Sequence, residues 1–406
     1  MLLDLSPLRR HREYRLLYIG QSVSLIGSMM TQVAVPYQVF ALSRSSLLVG
    51  LLGTAQLMPL LLFALIGGSY ADALDRRKLL LWSEAILMTT SAAMAANAAS
   101  AHPRVEVLFA AAMVISAVNG FHRPALDALT PRVVEVQDLA AVGALGSLRY
   151  SVTAIGGPAL AGLVMSRLGI AAAYWIDVAS FAVSLEALRA MRPLPPVENA
   201  AKPGLRAVIE GLRYAASRPE LLGTYIVDLV AMTFAMPMAL FPACAAAWGG
   251  AKAAGWLYAA MPVGCLAITL FSGWTRKVDR RGAAVVWAAA AWGLAIVGFG
   301  YAPNLAWAFA ALALAGAADM VSGLFRTVIW NETIPTELRG RLSGVEMISY
   351  MTGPLLGNAR AGWMATMWGT GASIVWGGVA CVAGVLACIP ILPAFYRYVR
   401  PKETER

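Results

Sequence analysis

Charge is scarce in this sequence. Only 13% of its 406 residues are Asp, Glu, Lys or Arg, against 59% hydrophobic, a balance that excludes a soluble domain of this size. Histidine is scarcer still: His11, His102 and His122 are the whole complement, each at or near the end of an apolar run, so no metal cluster is expected. Cys244, Cys265, Cys381 and Cys388 fall singly inside apolar runs, without the paired spacing of a zinc site, and read as core residues. A Gly-x-x-x-x-Gly-Lys-Ser/Thr loop is missing, which argues against direct drive by ATP. Clustered His, Cys or paired carboxylates beside a span are also missing, so neither an embedded enzyme nor a cofactor is expected.

What is present is apolar length. Runs of about 20 residues, each able to cross a hydrocarbon core of ~30 Å as a helix, recur twelve times. They are expected at 17–41, 46–71, 78–100, 104–122, 139–165, 170–190, 221–245, 253–275, 283–301, 304–328, 342–367 and 371–393. Their continuous hydrophobicity does not alternate as the strands of a β-barrel would. The basic start, with Arg9, Arg10, Arg12 and Arg15, leads into a run too long for a signal peptide, so the first span is expected to stay.

The net charge of +10 is scattered over short loops rather than gathered on one soluble face, which argues for membrane orientation and against nucleic acid. If the spans alternate, 26 of the 32 Lys and Arg fall on one side, which puts both termini in the cytoplasm. The longest hydrophilic stretch, with Pro193, Pro195, Pro196 and Pro203, divides the chain into a first bundle (1–191), a cytoplasmic linker (192–219) and a second bundle with its tail (220–406). Within the linker, 204–214 has the spacing of an amphipathic helix, serving as a tether or as a solubilising connection.

The halves repeat. Gly67 to Lys78 places Gly68, Asp72, Asp75, Arg76 and Arg77 between spans two and three, and the Asp-Arg-Arg core returns 204 residues on as Asp279-Arg280-Arg281. Span five carries Gly157-Pro158 and span eleven Gly353-Pro354, pairs that kink a helix and thin its surface for a sliding neighbour, or simply for packing. Recurrence at half length is a plan of secondary transporters.

On these residues, together with Pro335-Thr336-Glu337-Leu338-Arg339-Gly340-Arg341, the chain resembles the major facilitator superfamily, in a bacterial exporter branch. The resemblance implies an all-α membrane protein of twelve helices in two parallel six-helix halves, and a gating role for the repeated loop and Gly-Pro motifs. Asp72 would face the start of span eleven near Gly340, where free amides favour a carboxylate, and Arg341 lies beside it. The usual Arg after the motif Asp is Ala73 here, which puts a charge relay through that position in doubt.

A charge buried in a span costs roughly 2.5–3.5 kcal/mol on insertion scales, so each needs a partner or a purpose. Asp319, amid Ala315, Gly316, Ala317, Ala318 and Met320 of span ten, is the first candidate for a coupling proton, with Asp228 of span seven second; a structural salt bridge is the alternative. Arg326 can neutralise Asp319 or pair with Glu346. Arg149 can face Asp319 across the cavity or receive an anionic substrate, and Arg360 can close the outer mouth or snorkel. Glu84 and Glu186 are expected in structural pairs.

Gln21, Gln32, Gln38, Gln56, Met30, Phe234, Met238, Tyr258 and Trp330 would together line an adaptable cavity. The expectation is a monomeric, proton-coupled efflux transporter of amphipathic small molecules (drugs, siderophores or related metabolites) in a bacterial inner membrane, in contact with its lipids. A lipid or lysolipid flippase, a uniporter or an importer is the alternative.

Overall fold

In the computed structural model the backbone is described for residues 4–73, 75–193, 213–335 and 339–400, and the side chains for the same residues except 64–73 and 339–349. Most of the proposed linker helix, 204–212, lies outside these, as do the side chains of Gly68, Asp72, Arg341 and Glu346; only its end is described, where 213–217 are helical and Tyr214 donates to the Thr333 carbonyl at 3.1 Å. Twelve long helices follow one another: α1 (Arg12–Ser43), α2 (Ser46–Ala73), α3 (Arg76–Ala99), α4 (Val105–Leu129), α5 (Leu139–Leu168), α6 (Ile170–Ala190), α7 (Pro219–Ala235, continued after a break by Phe241–Trp248), α8 (Ala251–Leu270), α9 (Arg281–Gly300), α10 (Leu305–Thr333), α11 (Arg339–Trp368) and α12 (Thr370–Ile391). All but α11 have described residues long and apolar enough to cross a membrane, and α11 spans 30 residues. Among the described residues the one β feature is an isolated bridge, Arg280 to Val399.

Local chemistry sets several ends. Asp75 caps α3, its carboxylate accepting from the amides of Arg77 and Lys78, and Asn304 caps α10 through the amide of Trp307. Gly169 and Gly369 sit at φ +84 and +86, a left-handed setting natural to glycine, and each turns the chain directly from one span into the next, α5 into α6 and α11 into α12.

Span seven differs from the uninterrupted run expected at 221–245. Pro237 has no amide to donate and holds Met236 extended, so the helix stops at Ala235 and resumes at Phe241. The break frees backbone groups that lipid cannot satisfy. Asn358 of α11 answers one of them, its Oδ1 accepting from the amide of Ala239 at 2.9 Å.

Contacts sort the chain into two compact units, Met1–Arg44, Ala55–Pro203 and Ala245–Ala259 in one, Ser45–Thr54, Gly204–Cys244 and Ala260–Arg406 in the other. Each is packed to one scheme. In the first, α1 lies on α6 and α5, and α3 on α4 and α6; in the second, α7 lies on α12 and α11, and α9 on α10 and α12. Small residues let the helices meet: α10 brings Gly316 against the Met261 carbonyl of α8, and a side chain at Gly264 of α8 would run into the Ala313 carbonyl of α10.

The second unit is also strapped at one end. After α12 the chain buries Phe395 at 0% exposure, in space that Gly223 of α7 and Gly282 of α9 leave open. It then pairs with the α8–α9 connection, Gly282 donating to the Tyr398 carbonyl at 3.3 Å and Arg400 to the Asp279 carbonyl at 3.0 Å. Tyr398 donates to Glu332 of α10 at 3.3 Å, and Glu332 forms an ion pair with Arg281.

Gly264→Val should therefore lower stability by about 1–3 kcal/mol through overpacking. Gly143→Ala, where an added Cβ meets nothing within 4 Å, should be neutral or raise stability by up to about 1 kcal/mol. Thermal unfolding in detergent compares the two, and the opposite order would contradict the α8–α10 packing.

Candidate functional site

Helical side chains lean toward the start of their own helix, so a long residue reaches back over the preceding turns. Arg326 does this on α10, toward Asp319 seven residues earlier, while α7 supplies Asp228 from the neighbouring helix. The guanidinium lies 2.5 Å from Asp228 and 3.8 Å from Asp319, through different nitrogens. Asp228 and Arg326 are well buried, whereas the Asp319 side chain keeps 36% of its surface accessible. Arg326 is thus shared unequally: one acid holds it tightly, and the other is looser and more open. Cys265 of α8, donating to the Gly316 carbonyl at 3.1 Å, lies near enough for the Asp319 charge to act on it.

The first unit treats its acids differently. Asp177 of α6 is buried and accepts from Thr31 of α1 at 2.6 Å and Ser91 of α3 at 2.8 Å, with Ser180 beside it. Seven residues from Ser91 on α3 and from Asp177 on α6 lie Glu84 and Ser184. Gln21 of α1 donates to both, and His122 of α4 stands 3.4 Å from Glu84. Two carboxylates are therefore stacked through one bundle core, two helical turns apart.

Arg149 of α5 lies 5.8 Å from the Tyr18 ring centre, feels the field of Asp127 on α4, and has an unpartnered Nε. Arg360 of α11 turns to α12, donating to the Ser373 carbonyl at 3.3 Å beside Gly377. Glu186 pairs with Arg189 on an exposed face.

The nine residues expected around a cavity divide. Gln21 and Gln38 lie inside the first unit, Gln38 accepting from Tyr174 at 2.8 Å, and Met30 and Tyr258 are buried. Gln56 is part-buried, and its carbonyl accepts from Ser116. Met238 is part-buried, while Gln32 and Phe234 remain exposed. Trp330 stacks on Tyr225 and donates to Thr224 at 2.8 Å.

The repeated loops have definite work in the fold. Arg76 donates to the Ala128 carbonyl at the end of α4, and Arg77 to the Leu188 and Arg189 carbonyls at the end of α6. In the second copy it is Arg281, not Arg280, that reaches an acceptor at the end of α10, Glu332. Gly157 admits Met29 of α1 and Gly353 admits Met232 of α7, so the two glycines occupy corresponding contacts. Pro158 and Pro354 follow them within α5 and α11.

Sequence reasoning missed the Asp228–Arg326 pair. Opposite charges on two spans were the available signal, but which faces meet is set by helix rotation. It missed Arg281, Phe395 and Tyr398 as well, for which the 204-residue repeat and the small Gly223 and Gly282 were the only cues.

Twelve membrane helices in two six-helix halves of one plan define a major facilitator fold, the architecture of a secondary transporter. The nucleoside transporter NupG covers 95% of this chain and 99% of its own at a TM-score of 0.74 and 13% identity, and the peptide-transporter-family structure PepTSo covers 95% and 98% at 0.70 and 13%. The pattern of the transmembrane secretion effector family matches residues 3–397, and the chain belongs to that family. Its relatives include the enterobactin exporter EntS of Shigella boydii serotype 4, 27% identical over 90% of this chain and 88% of that one. The EntS of Citrobacter koseri is 26% identical over 98% and 96%. The protein is accordingly a membrane transporter of the facilitator type and not an enzyme.

Asp228→Asn strands a buried Arg326 with its more distant partner and should lower stability by about 3–5 kcal/mol. Asp319→Asn removes the longer contact, leaves Arg326 its closer partner Asp228, and should cost less than Asp228→Asn. Denaturant unfolding of both variants ranks them; equal losses would refute unequal sharing of Arg326.

Proposed function

We propose that this protein exports amphipathic small molecules across a bacterial inner membrane in exchange for protons, with Asp319 as the exchanging carboxyl. The observation that carries the reading is the unequal sharing of Arg326. While Asp319 is ionised, the guanidinium serves two acids. When Asp319 takes a proton, Arg326 is left to Asp228 alone, and α10 loses an attachment to its own charge pair. Proton binding is thereby converted into a change in how firmly α10 is held against α7, a small local switch of the kind that can bias two arrangements of a helix bundle.

Efflux as the direction rests on the exporters among the relatives, whose similarity runs nearly end to end. The bias of basic residues supports cytoplasmic termini. In an alternating-access cycle the glycines at 157 and 353 would let α5 and α11 slide on α1 and α7. Asp72 and Arg341 would latch the cytoplasmic side, with Asp75, Arg76, Arg77, Asp279 and Arg280 holding the loops around it. Arg149, ringed by Tyr14 and Tyr18, is suited to an anionic or aromatic group of the cargo.

The test is transport in proteoliposomes with an imposed pH gradient, using ethidium and enterobactin as probes. Movement of at least one probe against its gradient, coupled to proton flow, is expected in the parent. In Asp319→Asn, coupled movement should fall to background while downhill exchange persists. Preserved coupling in that variant, or parent transport indifferent to the gradient, would reject the reading.

A further inference from the structure

We propose that Glu84 and His122 form a proton-binding site inside the N-terminal half, distinct from Asp319 and independent of whether transport is proton-coupled. Glu84 has 0% side-chain exposure and His122 13%, and they stand 3.4 Å apart between α3 and α4. Glu84 Oε1 accepts from Gln21 and faces His122 Nε2, whereas its Oε2, equally buried, has no hydrogen-bond partner among the described residues. A carboxylate with an orphaned oxygen in a bundle core is a costly arrangement, because no protein donor meets that oxygen among the described residues. One proton shared with the imidazole removes the difficulty. The pair is then net neutral, with the proton held on the buried Glu84 and hydrogen-bonded to His122.

The surroundings favour that shared proton over a fixed ion pair. From α1 the site meets Gln21, a neutral amide. From α6 it meets Ser184 and, two turns away, Asp177, whose negative charge repels a second bare carboxylate in the same core. From α4 it meets His122, with Asp127 five residues further along that helix. Among the described residues, no Lys or Arg forms an ion pair with Glu84. His122, the part-exposed member, is the route by which a proton enters or leaves.

The site is tested on the full chain in lipid nanodiscs, with the proton as the probe, by infrared difference spectroscopy and proton uptake between acid and alkaline buffer. The parent should show the carbonyl band of a dehydrated carboxylic acid that is absent in Glu84→Gln, with uptake reduced by about one proton per chain. In His122→Gln the band should persist but titrate at a different pH. In Asp319→Asn it should be unchanged, which separates this site from the one proposed for coupling. A band that survives Glu84→Gln in full, or uptake identical in parent and Glu84→Gln, would overturn the assignment. Should Glu84→Gln fail to fold, His122→Gln decides alone: a band with unaltered pH dependence would overturn the shared proton.

Discussion

The shared guanidinium of Arg326 is the interaction on which the second half depends. In lipid a cation without a carboxylate is expelled toward an interface, and two carboxylates without a cation repel each other. Placing Arg326 within reach of both Asp228 and Asp319 satisfies three charges with one residue, yet leaves them unequally satisfied. The arrangement also ties α7 to α10. Trp330, one turn beyond Arg326, reinforces the same pairing of helices by donating to Thr224.

The first half solves the same problem without arginine. Its core acids are met by hydroxyls and an amide, Thr31, Ser91 and Ser180 around Asp177 and Gln21 beside Glu84, with one imidazole at the edge. Such neutral donors stabilise a carboxylate by directed bonds and add no opposing charge. Two bundles of one plan have thus arrived at different electrostatics, one carrying a fixed cation and the other, among the described residues, none beside Asp177 and Glu84. A repeat that preserves helix packing does not preserve the chemistry placed on it.

The twelve spans, the half-chain repeat and the motif loops could be read from the sequence, because apolar length and recurring Asp-Arg-Arg and Gly-Pro pairs are one-dimensional signals. The break in α7 was also written there, in Met236-Pro237, but a long apolar run around it masked the proline. Partner choice was less legible. Gln21 and Gln38 look like cavity residues in a list of polar groups within spans, and rotation of α1 instead turns them onto Glu84, Ser184 and Tyr174. Arg76 and Arg77 look like orientation signals, and in the fold they also terminate α4 and α6. Asp228 was separated from Arg326 by nearly a hundred residues, and only the three-dimensional packing brings them together.

The strap that follows α12 has a consequence for biogenesis. Phe395 and Tyr398 complete a socket made by α7, α9 and α10, helices that enter the membrane much earlier during synthesis. Until residues 395–398 have left the ribosome, Glu332 lacks its tyrosine donor and the space bounded by Gly223 and Gly282 stands unfilled. The C-terminal half therefore cannot reach its finished packing one helix at a time: residues 395–400 close a structure begun near residue 219, so its packing is completed only after all of its spans have been made.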